Sequence, residues 1–593
     1  MKIFKKLFTL LTPKEYKKFK LLLVLIFIEA LLDMIGIASI MPFIAVLTDP
    51  SLIDTNFFLK KIFEFSKIFG IENNFDFSFL LGFLMFFLLV LSLITKGTAL
   101  YYQYQFIHQL EKNLGKRLLE TYLIQKYSWF LDRHSANLGK NILSEINLIL
   151  SSGIRPTIEL ISKGLIVILI FILLLIIDIK LTLTATLTLC FFYLIIYLSL
   201  KKYLKKIGDK RLKSNKQRFI LIDEVFGAIK EVKLAGLEKV FVSLFSQPAE
   251  NYAKSQTSFQ VISQAPRFFL EGIAFGGVIL IILFSMYQTN GFINSLPVLS
   301  LYVLAGYRLI PALQQIYNSF SNIKFVEPSI EKLFFEEKLH LQNSEHKYED
   351  QKKLFLNKSL KLKDIHYSYP NTLNTSLKNI NLSILAKSIV GITGDSGSGK
   401  STLIDVFSGL LRAQKGSIFV DDKEILDENV RSWQNSIGYV PQNIFLFDNS
   451  IAANIAFTHS KENINYKKIE EVSKIANLHN FILDELPEKY QTKVGERGVR
   501  LSGGQLQRIG IARAMYNSPS VLILDEATSA LDVHTEKSIM DSINTISQKI
   551  TVIIIAHRLN TLKNCEKIFL LEKGEIKKIG SHDEIISVYN KKN

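Results

Sequence analysis

The stretch Gly394-Asp395-Ser396-Gly397-Ser398-Gly399-Lys400-Ser401-Thr402 lies between an apolar run, residues 388–393, and a helical pattern that begins at Leu403. Glycines in such a strand–loop–helix context let successive backbone N–H groups point at a phosphate. Lys400 is then expected to reach the β- and γ-phosphates of a nucleotide, and the Ser401 hydroxyl to bind Mg²⁺. The stretch therefore predicts a nucleotide-binding P-loop within an α/β domain.

Two adjacent carboxylates follow a second apolar run, residues 521–524. The first of them, Asp525, stands at the end of a buried strand and is predicted to hold Mg²⁺ through a water molecule. The second, Glu526, is the predicted catalytic base that polarises the attacking water. An acidic pair after a strand is weak evidence for a nucleotide-hydrolysing site on its own. The complete P-loop earlier in the chain makes it strong evidence.

Further motifs occur in the order found in the ATP-binding cassette (ABC) proteins, which this half of the chain resembles. The family signature is present as Leu501-Ser502-Gly503-Gly504-Gln505, and Gly495-Glu496-Arg497-Gly498 matches the loop typical of exporters. The resemblance implies four further roles: Tyr369 stacks on adenine, Gln442 meets Mg²⁺ and the membrane domain, Asp532 lies in the D-loop, and His557 is the catalytic switch that senses the γ-phosphate. Taken alone, Tyr369 also suits a turn and His557 a strand end; the ordered motifs favour the functional interpretation of both.

The signature also predicts the assembly. A Ser-Gly-Gly turn that opens a helix offers N–H donors and a positive dipole end to an anion. In the family, the residues matching Ser502, Gly503, Gly504 and Gln505 contact ATP held by the opposite cassette. One set of motifs per chain therefore implies a homodimer with two equivalent sites. Because Glu526 stands at the base position, we expect an active ATPase that uses ATP and Mg²⁺.

The first half of the chain has the composition of a membrane protein. Of the 593 residues 48% are hydrophobic, and the mean hydropathy is +0.22, which excludes intrinsic disorder. Only two cysteines are present, so a disulfide framework is excluded as well. Six segments have the length needed to cross a bilayer: residues 21–46, 77–94, 158–177, 181–200, 268–286 and 296–316.

Basic residues are distributed unevenly around these segments. Residues 1–20, 105–153 and 201–264 hold seven, six and thirteen Lys and Arg, whereas the opposite side holds four. The positive-inside rule then places both termini, both long loops and the cassette in the cytoplasm of a multi-pass protein, for which we expect the bacterial inner membrane. Topology explains most of the net charge of +17, so nucleic acid is not an expected partner.

Six spans followed by one cassette resemble an ABC half-exporter. The predicted fold is multidomain, with an all-α six-helix transmembrane domain of the ABC exporter type and an α/β P-loop NTPase cassette. The predicted boundaries are an interfacial elbow helix (1–20), a transmembrane domain with two long cytoplasmic extensions (21–330), a linker (331–360) and the cassette (361–593). The resemblance implies short coupling helices near residues 127–133 and 222–230.

Two features bear on the transported substrate. Residues 54–70 predict a short amphipathic helix, capped by Asp54 or Thr55 and ended by Gly70, that either lies on the outer leaflet or packs on the transporter. Lys96, Arg267 and Arg308 lie within or beside spans, where an anionic head group could meet them. The alternatives are that Lys96 and Arg267 reach the interface and that Arg308 pairs with Glu29, Asp33 or Glu271.

The membrane half also resembles bacterial lipid-linked oligosaccharide flippases, through residues 266–272 and 307–311 and the external helix. That resemblance implies a polyprenyl-pyrophosphate glycan as substrate and a role in protein glycosylation. Exporters of another amphiphile, such as a lipid A-like lipid, another lipid or a hydrophobic drug, fit the same features. An ATP-gated channel or regulator is a further alternative, which translocation measured against hydrolysis would test.

Overall fold

The computed structural model describes residues 2–71, 73–177, 179–287, 292–343, 352–370, 372, 374–495, 498–527, 533–556 and 558–590. The chain divides into two compact units, each described here by itself. The membrane unit comprises residues 1–125 and 132–346, and the cassette unit comprises residues 126–131 and 347–593. A short helical segment from the first half of the chain thus belongs to the cassette unit.

The first half of the chain is helical throughout the described residues. Its helices are α1 (Lys2–Thr9), α2 (Pro13–Ala38), α3 (Ile40–Thr48), α4 (Leu52–Thr55), α5 (Phe57–Ser66), α6 (Asn74–Leu123), α7 (Tyr127–Leu131), α8 (Ser135–Lys140), α9 (Ile146–Ile149), α10 (Arg155–Ile177), α11 (Ile179–Gly227), α12 (Ile229–Ala235), α13 (Glu238–Tyr287) and α14 (Phe292–Asn343). Helix α7 is the segment that belongs to the cassette unit.

The long helices continue well beyond a bilayer. Helix α6 has 50 residues, which at 1.5 Å per residue corresponds to about 75 Å. In the described residues, three helical stretches are long and apolar enough to span a membrane: Pro13–Thr48, Asn74–Leu123 and Ser135–Ile177. The other three predicted spans lie on α11, α13 and α14, whose side chains are described only in part.

Local sequence explains where the first helices break. The predicted elbow helix of residues 1–20 is two helices, because Thr12 caps α2 and Pro13 occupies its first turn. The Thr12 and Glu15 side chains form a reciprocal capping box there. At the other end of the membrane unit, α14 runs to Asn343, so the predicted linker of residues 331–360 begins as helix. The range 222–230, predicted to hold the second coupling helix, falls partly on α11, which continues to Gly227, and partly on α12.

The external segment contains the predicted amphipathic helix with a different cap. Neither Asp54 nor Thr55 caps α5; instead the Asn56 side chain accepts hydrogen bonds from the backbone of the first turn. A 3₁₀ turn follows, and Gly70 ends it with a φ of 83°, as predicted. Leu59 and Phe63 are buried against the membrane unit.

A second apolar face of this helix is exposed. Phe58 is 75% exposed, Phe65 is 64% exposed and Ile68 is 75% exposed. The side chain of Phe69, near the end of this segment, lies outside the described residues. The segment therefore packs on the membrane unit through one face and presents apolar surface on another, and its contact with the outer leaflet stays a prediction.

A buried polar network joins helices of the extensions that are predicted to be cytoplasmic. Arg211 on α11 donates to Glu145 at 2.7 Å and to the Ser329 hydroxyl at 3.0 Å. Lys140 lies 3.5 Å from the same carboxylate. These side chains are almost fully buried, and Glu145 ends a π-helical turn at Asn141–Glu145. Burial of such charges is tolerated only when they are paired, so the network fixes how these helices pack.

The cassette contains two sheets. Their strands are β1 (Ser359–Tyr367), β2 (Leu377–Leu385), β3 (Ile389–Gly394), β4 (Lys415–Val420), β5 (Lys423–Glu424), β6 (Ile437–Val440), β7 (Val521–Asp525), β8 (Thr551–Ile555), β9 (Lys567–Glu572) and β10 (Glu575–Gly580). The smaller sheet, β2-β1-β4-β5, is antiparallel. The larger, β10-β9-β3-β8-β7-β6, is parallel except for its edge strand β10.

Helices cover the larger sheet, which explains its continuous apolar strands. The helices of the cassette are α15 (Lys400–Phe407), α16 (Val430–Gln434), α17 (Ile451–Ala456), α18 (Tyr466–Ile475), α19 (His479–Asp484), α20 (Gly503–Tyr516), α21 (Val533–Ser547) and α22 (His582–Asn590). Of these, α15, α20, α21 and α22 pack directly against strands of the larger sheet. Because β3, β7 and β8 are parallel, their carboxyl ends share one edge of the sheet. That edge carries the P-loop, Asp525 and the residues after β8.

Candidate functional site

The P-loop requires glycine at two positions where the backbone passes close to its neighbours. A Cβ on Gly394 would lie 2.2 Å from the carbonyl oxygen of Leu571. A Cβ on Gly399, whose φ is 102°, would lie 2.8 Å from the carbonyl oxygen of Ser376. The loop is therefore held between β9 and the segment before β2, and its shape is set by contacts on both sides.

Lys400 is buried and folds back over the loop. Its Nζ donates to the carbonyl oxygens of Gly394, at 2.8 Å, and Asp395, at 3.0 Å. Burial lowers the pKa of this amine, and the carboxylates of Glu526 and Asp395 oppose that shift. The Ser398 hydroxyl is also buried and has no hydrogen-bond partner within the described part of the chain. A cationic amine and an unsatisfied hydroxyl in one loop fit nucleotide phosphates.

Asp525 is hydrogen-bonded to a residue that sequence analysis missed. The phenol of Tyr439, on β6, donates to Asp525 Oδ2 at 3.1 Å. Burial raises the pKa of Asp525, and this hydrogen bond opposes the shift. Strands β6 and β7 are neighbours, with Val440 paired to Leu524, and this register brings Tyr439 close to Asp525. Only the strand order identifies Tyr439 as a neighbour of Asp525. The carboxylate keeps its other oxygen for the predicted Mg²⁺, which suits a hard-cation ligand.

Glu526 has a strained backbone and a defined partner. Its φ is 49°, in the left-handed region that residues other than glycine rarely adopt. Its carboxylate accepts a hydrogen bond of 2.7 Å from Nε2 of Gln442, and its backbone N–H donates to Ile555. The structure thus brings together the predicted base and the predicted Q-loop residue. This arrangement suits a base that orients a water at the end of the phosphate chain.

Asp405 is a second acidic residue that the sequence did not single out. It lies on α15, the helix that follows the P-loop, and it faces the Asp525 carboxylate closely enough to feel its charge. Burial and that charge raise the pKa of Asp405 to about 6. Two like-charged carboxylates in one site raise each other's pKa, so Asp405 adds its negative charge to the edge that carries Asp525 only above about pH 6.

The adenine-binding candidate Tyr369 is held by two contacts. Its hydroxyl lies 3.1 Å from Oγ1 of Thr402, the last residue of the P-loop, and its ring meets Tyr367 edge-on at 5.2 Å. The aromatic residue is thus tied directly to the phosphate loop.

Helix α7 lies in the same unit as this site. Burial raises the pKa of its Tyr127, and the charge of Asp405 adds to that shift.

The signature residues open α20 in the predicted manner. Ser502 is the N-cap, and its hydroxyl accepts a hydrogen bond from the backbone N–H of Gln505. In return, the side-chain oxygen of Gln505 accepts a hydrogen bond of 2.8 Å from the backbone N–H of Ser502. Gln505 is therefore engaged in capping, and the exposed Ser502 and Gly503 remain available to an anion. Gly504 lies in the first turn of the same helix.

Two predicted site residues lie outside the described residues. These are the D-loop residue Asp532 and the switch residue His557. The strand before His557, β8, is present, and its end lies on the site edge of the sheet. The roles of both residues stay predictions.

A charged group lies inside the membrane unit. The Arg308 guanidinium on α14 lies 3.4 Å from Oδ1 of Asp33 on α2, and Ser92 on α6 donates to the same oxygen at 2.7 Å. Asp33 is 5% exposed and Arg308 21% exposed. Of the alternatives raised by the sequence, Arg308 is therefore paired with an acidic residue and also partly open.

Two lysines join this group. The charges of Lys163 and Lys96 both act on the buried carboxylate of Glu29, one turn from Asp33. Glu159, one turn before Lys163, forms its ion pair with Arg155 at 2.9 Å. The third predicted residue, Arg267, is exposed on α13.

Comparison with known proteins assigns both units. Residues 22–308 match the family described as the ABC transporter transmembrane region, and residues 377–529 match the ABC transporter family. An ATP-dependent lipid A-core flippase of Wigglesworthia glossinidia brevipalpis is 33% identical over 404 residues, 66% of this chain and 67% of that protein. ABC transporter B family member 29, chloroplastic, of Arabidopsis thaliana is 39% identical over 275 residues, 46% of this chain and 42% of that protein.

A solved structure of a bacterial Atm1-family ABC exporter with ATP bound matches the fold with a TM-score of 0.74, over 95% of both chains and at 22% identity. A helical membrane unit joined to one phosphate-binding cassette defines a transport ATPase. The chain belongs to the ABC transporters, with one transmembrane region fused to one ATP-binding domain. The predicted multidomain fold is confirmed.

Proposed function

We propose that this ABC exporter works as a homodimer that flips a lipid-linked oligosaccharide, a polyprenyl-pyrophosphate glycan, from the cytoplasmic to the outer leaflet of a bacterial inner membrane. ATP with Mg²⁺ drives the cycle. The P-loop, Asp525 and Gln442 would hold the nucleotide and the metal, and Glu526 would activate water. The D-loop and signature residues of one copy would complete the site of the other.

The observation that carries the substrate class is the charged group inside the membrane unit. Lys96, Lys163 and Arg308 supply three positive charges there, against the two carboxylates of Glu29 and Asp33. Charges at membrane depth are costly unless they meet a partner. An excess of one positive charge in a partly open position suits a phosphate-bearing head group, which forms strong charge-assisted hydrogen bonds with a guanidinium.

The external helix supports a long lipid tail. Its exposed face carries Phe58, Phe65 and Ile68, and Phe75 and Phe79 at the start of α6 are also exposed. Apolar side chains on an external helix are expected to sit in the outer leaflet. A tail delivered to that leaflet would meet this surface.

A lipid A-like lipid is the second candidate. The observation that favours it is the relative named as an ATP-dependent lipid A-core flippase, which aligns with about two thirds of this chain. Both candidates carry phosphates on a lipid, so the basic group does not separate them. The head group does, because one bears a pyrophosphate-linked glycan and the other a phosphorylated saccharide.

Sealed proteoliposomes test the proposal. Purified protein receives a fluorescent polyprenyl-pyrophosphate oligosaccharide in one arm and a labelled lipid A precursor in the other, with ATP outside and Glu526→Gln as the inactive control. ATP-dependent transfer of the glycan lipid alone supports the proposal. Transfer of the lipid A precursor alone favours the second candidate, and hydrolysis without transfer of either would overturn both.

A further inference from the structure

A cavity of about 430 Å³ lies where α11 and α14 meet, away from the charged group inside the membrane unit. It is lined by side chains of both helices: Lys201, Lys202, Lys205, Lys206, Asp209, Lys324 and Glu327. Five of these seven side chains are cationic. The cavity, named here the lysine pocket, is therefore strongly positive and large enough for a phosphate-bearing group.

The spacing of the lysines along α11 places like charges next to each other, which destabilises the helix. Lys201 and Lys205 lie one turn apart on α11, as do Lys202 and Lys206. Like charges at this spacing destabilise a helix by about 0.2–0.5 kcal/mol per pair. An arrangement that repeats this cost twice at one point is readily explained by an anion that binds there.

The carboxylates of the pocket neutralise only part of this charge. Glu327 pairs with Lys205 and with Lys324, both at 3.1 Å. By contrast, within the described part of the chain, no carboxylate lies within 4 Å of the amines of Lys201, Lys202 and Lys206. Three amines thus remain to bind an anion.

The position of the pocket indicates which kind of anion it meets. Along α11, the apolar side chains Leu183, Leu187, Phe191, Ile195 and Leu198 are each between 43% and 67% exposed. This stripe faces outward as a lipid-contacting surface does, and the first lysine follows it at once. The lysines therefore lie at the level of phospholipid head groups on the side predicted to be cytoplasmic.

The wall of the pocket is rigid. A Cβ on Gly208 would lie 2.1 Å from the carbonyl oxygen of Phe325, so the two helix backbones are in direct contact. Leu204, Ile207 and Phe325 form a buried cluster beside the lysines. A site fixed by such packing loses little conformational entropy when it binds a ligand.

We infer that the lysine pocket binds the phosphate head group of an anionic lipid in the cytoplasmic leaflet. This site is distinct from the charged group around Arg308, because Lys324 follows Arg308 by 16 residues on α14, or about 24 Å of helix. Phosphate oxygens would take the hydrogen bonds of Lys201, Lys202 and Lys206, while the acyl chains follow the apolar stripe of α11.

The test measures bound lipid on the full-length protein. Wild type and the triple variant Lys201→Gln/Lys202→Gln/Lys206→Gln are reconstituted in phosphatidylcholine with phosphatidylglycerol, extracted, and analysed by mass spectrometry for retained phosphatidylglycerol. The matched control is Lys14→Gln/Lys17→Gln/Lys20→Gln, which removes the same charge from exposed lysines ahead of the first span. A third variant replaces the three pocket lysines by Arg.

We expect the pocket variant to lose retention about tenfold, whereas the control and the Arg variant keep it. Equal losses in pocket and control variants would overturn the site, because general surface charge would then account for binding. Unchanged retention in the pocket variant would overturn it as well. In a further arm, millimolar inorganic pyrophosphate is added without lipid; tight binding there that the pocket variant abolishes would reassign the site to a soluble anion.

Discussion

Gln442 and Glu526 are joined by a hydrogen bond of 2.7 Å from the amide Nε2 to the carboxylate Oε2. One residue follows β6 and the other follows β7, and these strands are parallel neighbours. The contact therefore ties the predicted base to the loop that the family resemblance assigns to communication with the membrane domain. A change in either loop is expected to reach the other through this bond.

Replacing Glu526 by Gln is expected to lower ATP hydrolysis by at least about 100-fold while ATP binding persists. The amide oxygen still accepts the hydrogen bond from Gln442, so the site geometry is kept and only the base is lost. Steady-state phosphate release and nucleotide-binding measurements check this. Glu424→Gln, a change in the antiparallel sheet, is the control, and hydrolysis at the wild-type rate in Glu526→Gln would remove its catalytic role.

Separating Arg308 from Asp33 distinguishes a structural ion pair from a substrate contact. Arg308→Gln leaves the buried Asp33 carboxylate without its ion pair, although Ser92 still donates to it, and we expect a lower melting temperature together with transport reduced about tenfold. The double variant Arg308→Gln/Asp33→Asn should recover the melting temperature but not transport. Recovery of both would mean that Arg308 serves the fold alone.

The buried pair Arg211–Glu145 should dominate the stability of the cytoplasmic extensions. Arg211→Met leaves a carboxylate that is 4% exposed without its strongest partner, at an expected cost of about 3–5 kcal/mol. Thermal unfolding in detergent at a fixed scan rate measures it. The control is Lys116→Met, which removes one member of an exposed pair with Glu120 and should change little; equal effects of the two variants would contradict the argument.

Asp405 predicts a pH dependence of the cassette. Its pKa is raised from 3.8 to about 6, so the folded chain holds this proton more tightly than the unfolded chain does. Stability from this group is therefore highest below pH 3.8, falls as the pH rises to about 6, and stays lower above it. Asp405→Asn should remove that fall and stabilise the protein at pH 7.5 by about 1 kcal/mol, after allowance for partial exposure.

Tryptophan fluorescence offers a suitable readout for this change. Both tryptophans belong to the cassette unit, and Trp433 is fully buried there. The control is Asp484→Asn, which alters an exposed carboxylate on α19. A wild-type pH profile in Asp405→Asn would show that another group is responsible.

The sequence predicted those parts of the site that are contiguous in the chain. The P-loop, the carboxylates after β7 and the signature at α20 each depend on a short motif with its flanking elements, and the structure has those elements. Tyr439 and Asp405 escaped prediction because their importance comes from strand order and burial. Neither property has a local pattern.

The membrane half shows the same division. Apolar length indicated the first three spans, but it did not show that the helices continue as far as Leu123 and Asn343. The ion pair of Arg308 was one of several open alternatives, since spacing along one helix does not determine which neighbour it faces. Likewise, Asn56 displaced the two residues expected to cap α5, because the choice among adjacent capping residues depends on the entry angle of the chain.

The backbone of Glu526, with its φ of 49°, sets a limit on how this protein can be made more robust. Glycine at this position would relieve backbone strain of about 1 kcal/mol and so raise the free energy of unfolding. It would also remove the carboxylate predicted to be the catalytic base. Selection for thermal stability alone would therefore favour glycine here, and with it variants that no longer hydrolyse ATP. Retention of the glutamate in a lineage would then indicate continued selection for transport activity.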